Sequence, residues 1–373
     1  MTNLKTVLCV VAISMATFSF PQTAFSQDSA EKPHAAAYQK VFLEWKGQLK
    51  KLRDLATKYK IAEEKEMVKI RADWKVALAK SDQILIDLRR KGVAAFAESP
   101  NQDRDLGRLL LEMAHDLIKN DKYEAAKEIV DALVEHKADA REVHDLAGTI
   151  AFVYHDFDAA KKHLTEADSL GVLSLGENYI GTIDELKPLW EEEQKLRAAE
   201  AEADDLPRVE LETTKGTVVI ELFENEAPET VGNFISLVEK GFYDGLVFHR
   251  VLPGFMAQTG CPLGDGTGDA GYKIYCECYK KNYRNHWTGT VSMAKGVPRD
   301  TGGSQFFLTF VPTTHLNGMH TAFGRIIQGM DILPSIKRRN PEKAEAKLIE
   351  PDKIVKAKVI RKRDHDYVPN KVK

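Results

Sequence analysis

Cysteine is scarce in this sequence, with four in 373 residues. Cys9 falls inside an amino-terminal apolar run, which leaves Cys261, Cys276 and Cys278 for the folded chain. An odd number of thiols excludes a fully paired disulfide framework. Cys276 and Cys278 stand in IYCECYK with one residue between them, a spacing that suits neither a C-x-x-C redox motif nor the usual zinc sites. Buried thiols, or one bridge from Cys261 to either neighbour, are the simpler reading, and no metal is expected. Charge of one sign is also lacking, since 53 Lys and Arg face 56 Asp and Glu for a formal net charge of -3. The exception is the carboxy-terminal end, with KIVKAKVIRKR and NKVK. No aromatic residues interleave it, so a solvated tail is expected and no nucleic-acid partner. No serine or cysteine is paired with a base and an orienting acid at a recognisable spacing, which argues against hydrolases.

What is present begins with MTNLKTVLCVVAISMATFSFPQTAFSQ. One early lysine, an apolar run from Val7 to Phe20, and small residues at Ala24 and Ser26 have the layout of a secretory signal peptide over 1–26. The short run and Pro21 argue against a retained membrane span. The expected address is therefore outside the cytoplasm, periplasmic or extracellular. Apolar content of 43% and charged content of 29% are globular values. A chain of this length is more than one core usually serves, so two domains are expected.

Residues 30–183 read as a helical domain, nearly free of proline and rich in Ala, Leu, Glu and Lys. Tyr38, Phe42, Trp45, Leu49, Leu52 and Leu55 recur three or four apart, a stripe that must be covered. NDKYEAAKEIVDAL and YHDFDAAKKHLTEA align Tyr123 with Phe157 and Ala126 with Ala160, an offset of 157 − 123 = 34 residues. Thirty-four is the period of tetratricopeptide helix pairs. Two readings stay open, a short tetratricopeptide-like array that holds a protein partner, or a helical bundle whose spacing coincides. Residues 184–206 read as a charged helical linker, ended at Leu206-Pro207.

From 207 to 363 the periodicity becomes alternating. Val209, Leu211, Val218, Ile220 and Leu222 flank a Lys215-Gly216 turn and predict a β-hairpin. APETVGNFISLVEKGF predicts a helix with Pro228 in its first turn and a Gly241 stop. Short strand-like runs follow between glycine-rich turns, and they suggest a closed antiparallel barrel plugged by helices. Residues 364–373 are left as the basic tail.

Five separated motifs, FHRVLPGFMAQTG, GDGTGDAGYKI, VSMAK, GGSQFFLTF and HLNGMHTAFGRIIQGMDIL, stand in one order. Together they make residues 208–362 resemble the cyclophilin family of peptidyl-prolyl cis/trans isomerases. The resemblance implies a mainly β, closed eight-stranded barrel capped by helices, and an enzyme that uses no cofactor and acts on proline-containing segments of client proteins. It also implies roles. Arg250 would donate to the amide nitrogen freed by twisting, and Gln258 would orient it. Phe255, Met256, Phe307, Leu316 and the apolar part of His320 would hold the proline ring. Ala294, Lys295 and Gln305 would line the peptide groove, with His315 at its rim. His315 stands where well-known eukaryotic members carry tryptophan, and Lys295 where they carry asparagine. A non-catalytic proline-peptide binder is the alternative that the resemblance leaves, and it would not need Arg250 and Gln258.

Overall fold

A computed structural model describes residues 32–372, and the signal-peptide reading of 1–26 lies outside the described residues. The chain forms two compact units. One takes in the residues through Leu117, Glu124–Thr149 and Lys162–Glu177; the other takes in Ile118–Tyr123, Ile150–Lys161 and the chain from Asn178 onward.

In the first unit, α1 (Pro33–Ile61) and α2 (Glu64–Glu98) cover one another's apolar stripes. Leu52 and Leu55 of α1 pack with Ala77 of α2, and Ile70, Trp74 and Leu78 close the cluster. Gln48, buried in that seam, satisfies its amide by donating to the Ala77 carbonyl at 2.6 Å. Helices α3 (Arg104–Lys119), α4 (Tyr123–Glu135), α5 (Val143–Val153) and α6 (Phe157–Ser169) follow. Tyr123 and Phe157 open α4 and α6, and both are buried, as are Ala126 and Ala160. Two residues ahead of each, Asp121 (φ 59°) and His155 (φ 64°) take the left-handed conformation, so the 34-residue correspondence extends into the turns. Among the described residues no helix is long and apolar enough to cross a membrane.

The second unit holds eight strands: β1 (Arg208–Thr213), β2 (Gly216–Leu222), β3 (Arg250–Leu252), β4 (Met256–Thr259), β5 (Thr290–Met293), β6 (Phe306–Thr309), β7 (Ala322–Gln328) and β8 (Ile354–Arg361). Their spatial order is β3-β4-β6-β5-β7-β2-β1-β8, with every pairing antiparallel. The expected hairpin around Lys215-Gly216 is β1–β2, and the expected helix is α8 (Pro228–Glu239), counting Ile183–Ala203 as α7. From α8, Phe234 lies 5.1 Å from the ring of Phe306 and 5.2 Å from that of Phe323, which seats the helix on the inner face of the sheet.

The closed barrel implied by the resemblance is not formed. The sheet is curled but open, a half-barrel whose edges β3 and β8 share no ladder. β3 has three residues against eight in β8, so it is too short to zip along that edge. The chain just ahead of β3 turns at Gly245 (φ 82°) and meets the start of the other edge without forming a ladder, through the Val247–Lys353 bridge and backbone bonds from Gly245 to Ile354, Ile354 to Leu246 and Phe248 to Asp352 at 2.8–2.9 Å. The second capping helix is also reduced. After β7 the chain makes a 3-10 turn at Leu333–Ser335, where Pro334 lacks the N–H that would extend it.

Among the described residues the three thiols are free. Cys276 and Cys278 place their Sγ atoms 3.0 Å apart, and Cys261 forms no bridge.

Charge is buried beneath α7. Arg284, with a side chain 1% exposed, donates from Nη2 to Glu193 at 2.8 Å and pairs with Glu200, and its guanidinium lies 3.9 Å from the centre of the Phe223 ring. Arg325 bridges Glu200 at 2.7 Å and Glu221 at 2.6 Å. Burial alone would raise the Glu193 pKa, but the bonds from Arg284 outweigh it and hold the carboxyl below its usual value. Removing one partner of such a group strands the others without solvent. Arg284→Ala is therefore expected to destabilise the chain by about 3–5 kcal/mol in urea unfolding followed by circular dichroism. A loss below about 1 kcal/mol would show that the cluster is solvated in solution.

Candidate active site

The site grows from the β3–β4 hairpin and its neighbour β6. In that ladder Arg250 stands opposite Gln258, and Gln258 stands opposite Phe307. Side chains alternate across a strand, so the adjacent phenylalanines separate. Phe306 points inward to Phe234 and Tyr243, while Phe307 joins Met256 and Leu316 in a second apolar cluster with Leu252, Phe255 and Ala294 against it.

Around that cluster sit the polar residues that the motifs singled out. The His320 ring meets Phe307 edge-on at 5.7 Å, with Nδ1 3.1 Å from the Met293 carbonyl. Burial lowers the His320 pKa, partly opposed by that carbonyl. His315 is exposed, with its ring 5.6 Å from Phe255. The Ala294 amide donates to the Gln305 carbonyl at 2.9 Å, and Lys295 reaches no farther than the Gly296 carbonyl at 3.3 Å. The Arg250 guanidinium lies 5.7 Å from the Phe255 ring centre, and among the described residues no carboxylate pairs with it.

Gln258 is held by a chain of amides. Its Nε2 donates to Gln305 Oε1 at 3.0 Å, and Gln305 Nε2 donates to the carbonyls of Gly266 and Gly268, both at 2.8 Å. GDGTG is thus the far anchor of this chain. Cys261 in turn accepts the Gly266 and Gly268 amides, both at 3.3 Å, which fixes the turn. All eleven residues selected from the motifs therefore lie on β3, β4, β6 or the segments bordering them.

His286 was not foreseen. It is fully buried, stacks on Phe307 with 6.2 Å between ring centres, and meets Ser292 Oγ at 2.8 Å and Asn317 Oδ1 at 3.1 Å. Nδ1 faces the Asn317 oxygen, and Nε2 faces the Ser292 hydroxyl, which donates to the Thr321 carbonyl at 3.1 Å. Its segment, RNHWTG, has no periodicity that would mark a residue behind a pocket wall.

With this geometry in place, the comparison with known proteins is specific. Residues 208–359 match the family described as cyclophilin type peptidyl-prolyl cis-trans isomerase/CLD. A peptidyl-prolyl cis-trans isomerase of Synechococcus elongatus is 57% identical over 115 residues, 31% of this chain and 77% of that protein. One from Helicobacter pylori is 51% identical over 130 residues, covering 34% and 78%. Peptidyl-prolyl cis-trans isomerase B of Bacillus subtilis is 52% identical over 114 residues, covering 31% and 78%. The chain belongs to the cyclophilin-type peptidyl-prolyl cis-trans isomerases. It is an enzyme acting on proline-containing peptides, and its helices α1 to α7 lie outside the matched region.

His286 supplies a pH test of the pocket's support. Burial lowers its pKa to about 4, below the roughly 6.5 of an unfolded imidazole. The unfolded chain then binds the proton first. The stability due to the neutral ring is complete above about pH 6.5 and is lost as pH falls toward about 4. Between pH 7 and 4 the wild type should lose on the order of 3 kcal/mol more than His286→Gln, read from urea unfolding at each pH. Parallel pH profiles for the two would show that His286 binds its proton equally well in the folded and unfolded chain.

Proposed function

We propose that the enzyme accelerates X-Pro rotation by offering the Arg250 guanidinium to the twisted amide above an apolar proline cup. Rotation crosses roughly 18–20 kcal/mol because amide resonance is lost on the way. No bond is made or broken, so what the reaction needs is a surface that binds the twisted form better than either planar one. The observation that carries this reading is that Arg250 has no carboxylate partner among the described residues, while Gln258 across from it is tied into an amide chain. An arginine already paired, like Arg284, would have no charge to give. Phe255, Met256, Phe307, Leu316 and His320 offer the ring a cup, and Ala294, Lys295 and Gln305 offer the flanking peptide a border.

The clients in this proposal are exported proteins, a reading supported by the signal-like sequence of 1–26. The periplasm or extracellular space is the matching address. The helical pairs at the 34-residue offset are read as tetratricopeptide-like units that hold a protein partner, supported by the buried Tyr123 and Phe157 at equivalent positions.

Arg250→Ala is expected to lower kcat/KM on a short proline peptide by about two orders of magnitude, roughly 3 kcal/mol of transition-state stabilisation. Its unfolding midpoint should match the wild type, because no ion pair is lost. A folded variant with wild-type turnover would remove Arg250 from the mechanism.

A further inference from the structure

Residues Ile118–Tyr123 connect two helices, yet they belong to the same compact unit as the sheet. Their turn carries Asp121, whose side chain is wholly buried. Its Oδ1 accepts the Gly254 amide at 2.8 Å and the Tyr123 hydroxyl at 3.2 Å, and its Oδ2 accepts Arg338 Nη2 at 2.8 Å. A buried carboxylate is costly unless its lone pairs are satisfied, so this arrangement constrains every group that it touches.

Gly254 is the residue that needs such a constraint. It lies between β3 and β4 with φ 65°, adjoins Phe255, and is itself exposed. The neighbours of Asp121 hold the same hairpin. The Arg338 guanidinium lies 4.4 Å from the centre of the Phe310 ring, and the Phe310 amide donates to the Phe255 carbonyl at 2.9 Å. Arg339 and Val251 exchange both backbone bonds, at 2.7 and 2.9 Å. The equivalent turn, 34 residues on, touches the segment next to His286, where the Thr288 hydroxyl donates to the Val153 carbonyl at 2.7 Å and the Thr288 amide donates to His155 Nε2 at 3.3 Å.

We infer that Asp121 is a positioning residue for the isomerase site, fixing the β3–β4 turn and through it Phe255 and the Arg250–Gln258 pair. The inference rests on the roles given above to Arg250 and Phe255. It makes a residue outside the matched region part of what sets turnover.

The test uses the full chain. Asp121→Gly deletes the carboxylate and accepts the left-handed backbone without strain. Asp121→Asn also tolerates that backbone and keeps one acceptor for Gly254, but sets an amide NH2 against Arg338. Both lose the ion pair, and both should unfold at lower urea than the wild type. Positioning separates them: Asp121→Gly should lose about tenfold in kcat on a short proline peptide with KM within about twofold, while Asp121→Asn keeps at least about half of the wild-type kcat. Wild-type kcat in Asp121→Gly, or equal losses in both variants, would overturn the inference. Because Arg250→Ala tests the catalytic reading by itself, failure of one is distinguishable from failure of the other. A second measurement needs no variant. The Gly254 amide should exchange with deuterium far more slowly than a solvent-exposed amide, and exchange at the free rate would equally overturn the inference.

Discussion

The register of the β3–β4–β6 ladder is the constraint on which the pocket depends. Gln258 faces Arg250 on one side and Phe307 on the other, so the charge, its support and the pocket wall are set by one alignment. A one-residue slip would send Phe306 into the cup and Phe307 into the core. What opposes the slip is Phe306 itself, packed at 5.1 Å from Phe234 and 5.3 Å from Tyr243. The core contact and the pocket wall are two faces of the same strand, and helix α8 holds that strand in register by supplying Phe234.

Two arginines in the same unit sit in contrasting environments. Arg284 is buried, with Glu193 and Glu200 bonded to it and an aromatic ring beneath it. Burial alone would disfavour its charge, and the carboxylates reverse that balance and raise its pKa. Arg250 has an aromatic neighbour too, but stays partly open and has no carboxylate among the described residues. Only an arrangement of the second kind leaves donors free, which is what the role proposed for Arg250 requires.

The elements readable from sequence were those with a local signature. Alternation gave the 208–222 hairpin, Pro228 and Gly241 framed α8, and the order of five motifs gave the family. Strand alternation puts Phe306 and Phe307 on opposite faces, but that Phe307 faces the pocket rested on the resemblance. Closure of the sheet was not readable, because it depends on how distant edges meet, and the three-residue β3 forms no ladder with β8. Glu193 and Glu200 fall in the stretch read as a charged helical linker, and no local pattern marks the arginine 91 or 84 residues away that buries them. His286 and Asp121 escaped for the same reason. Each acts through contacts made across the fold, and single histidines and aspartates in turns carry no period.

A reaction that only rotates a bond places an unusual demand on its enzyme. With no covalent step to supply driving force, the benefit comes from donors and walls that do not move as the amide twists. On the mechanism proposed above, that is why the polar chain behind Gln258 matters beyond its individual bonds. It runs through Gln305 to the carbonyls of Gly266 and Gly268, whose own amides end on the buried Cys261 thiol. A thiol is a weak acceptor, and its value here is geometric. It gathers two amides of one glycine-rich turn so that their carbonyls converge on a single side chain. Cys261 is thus better understood as an anchor for the amide chain than as a redox group, and the flexible sequence GDGTG becomes a fixed end against which Gln258 is held.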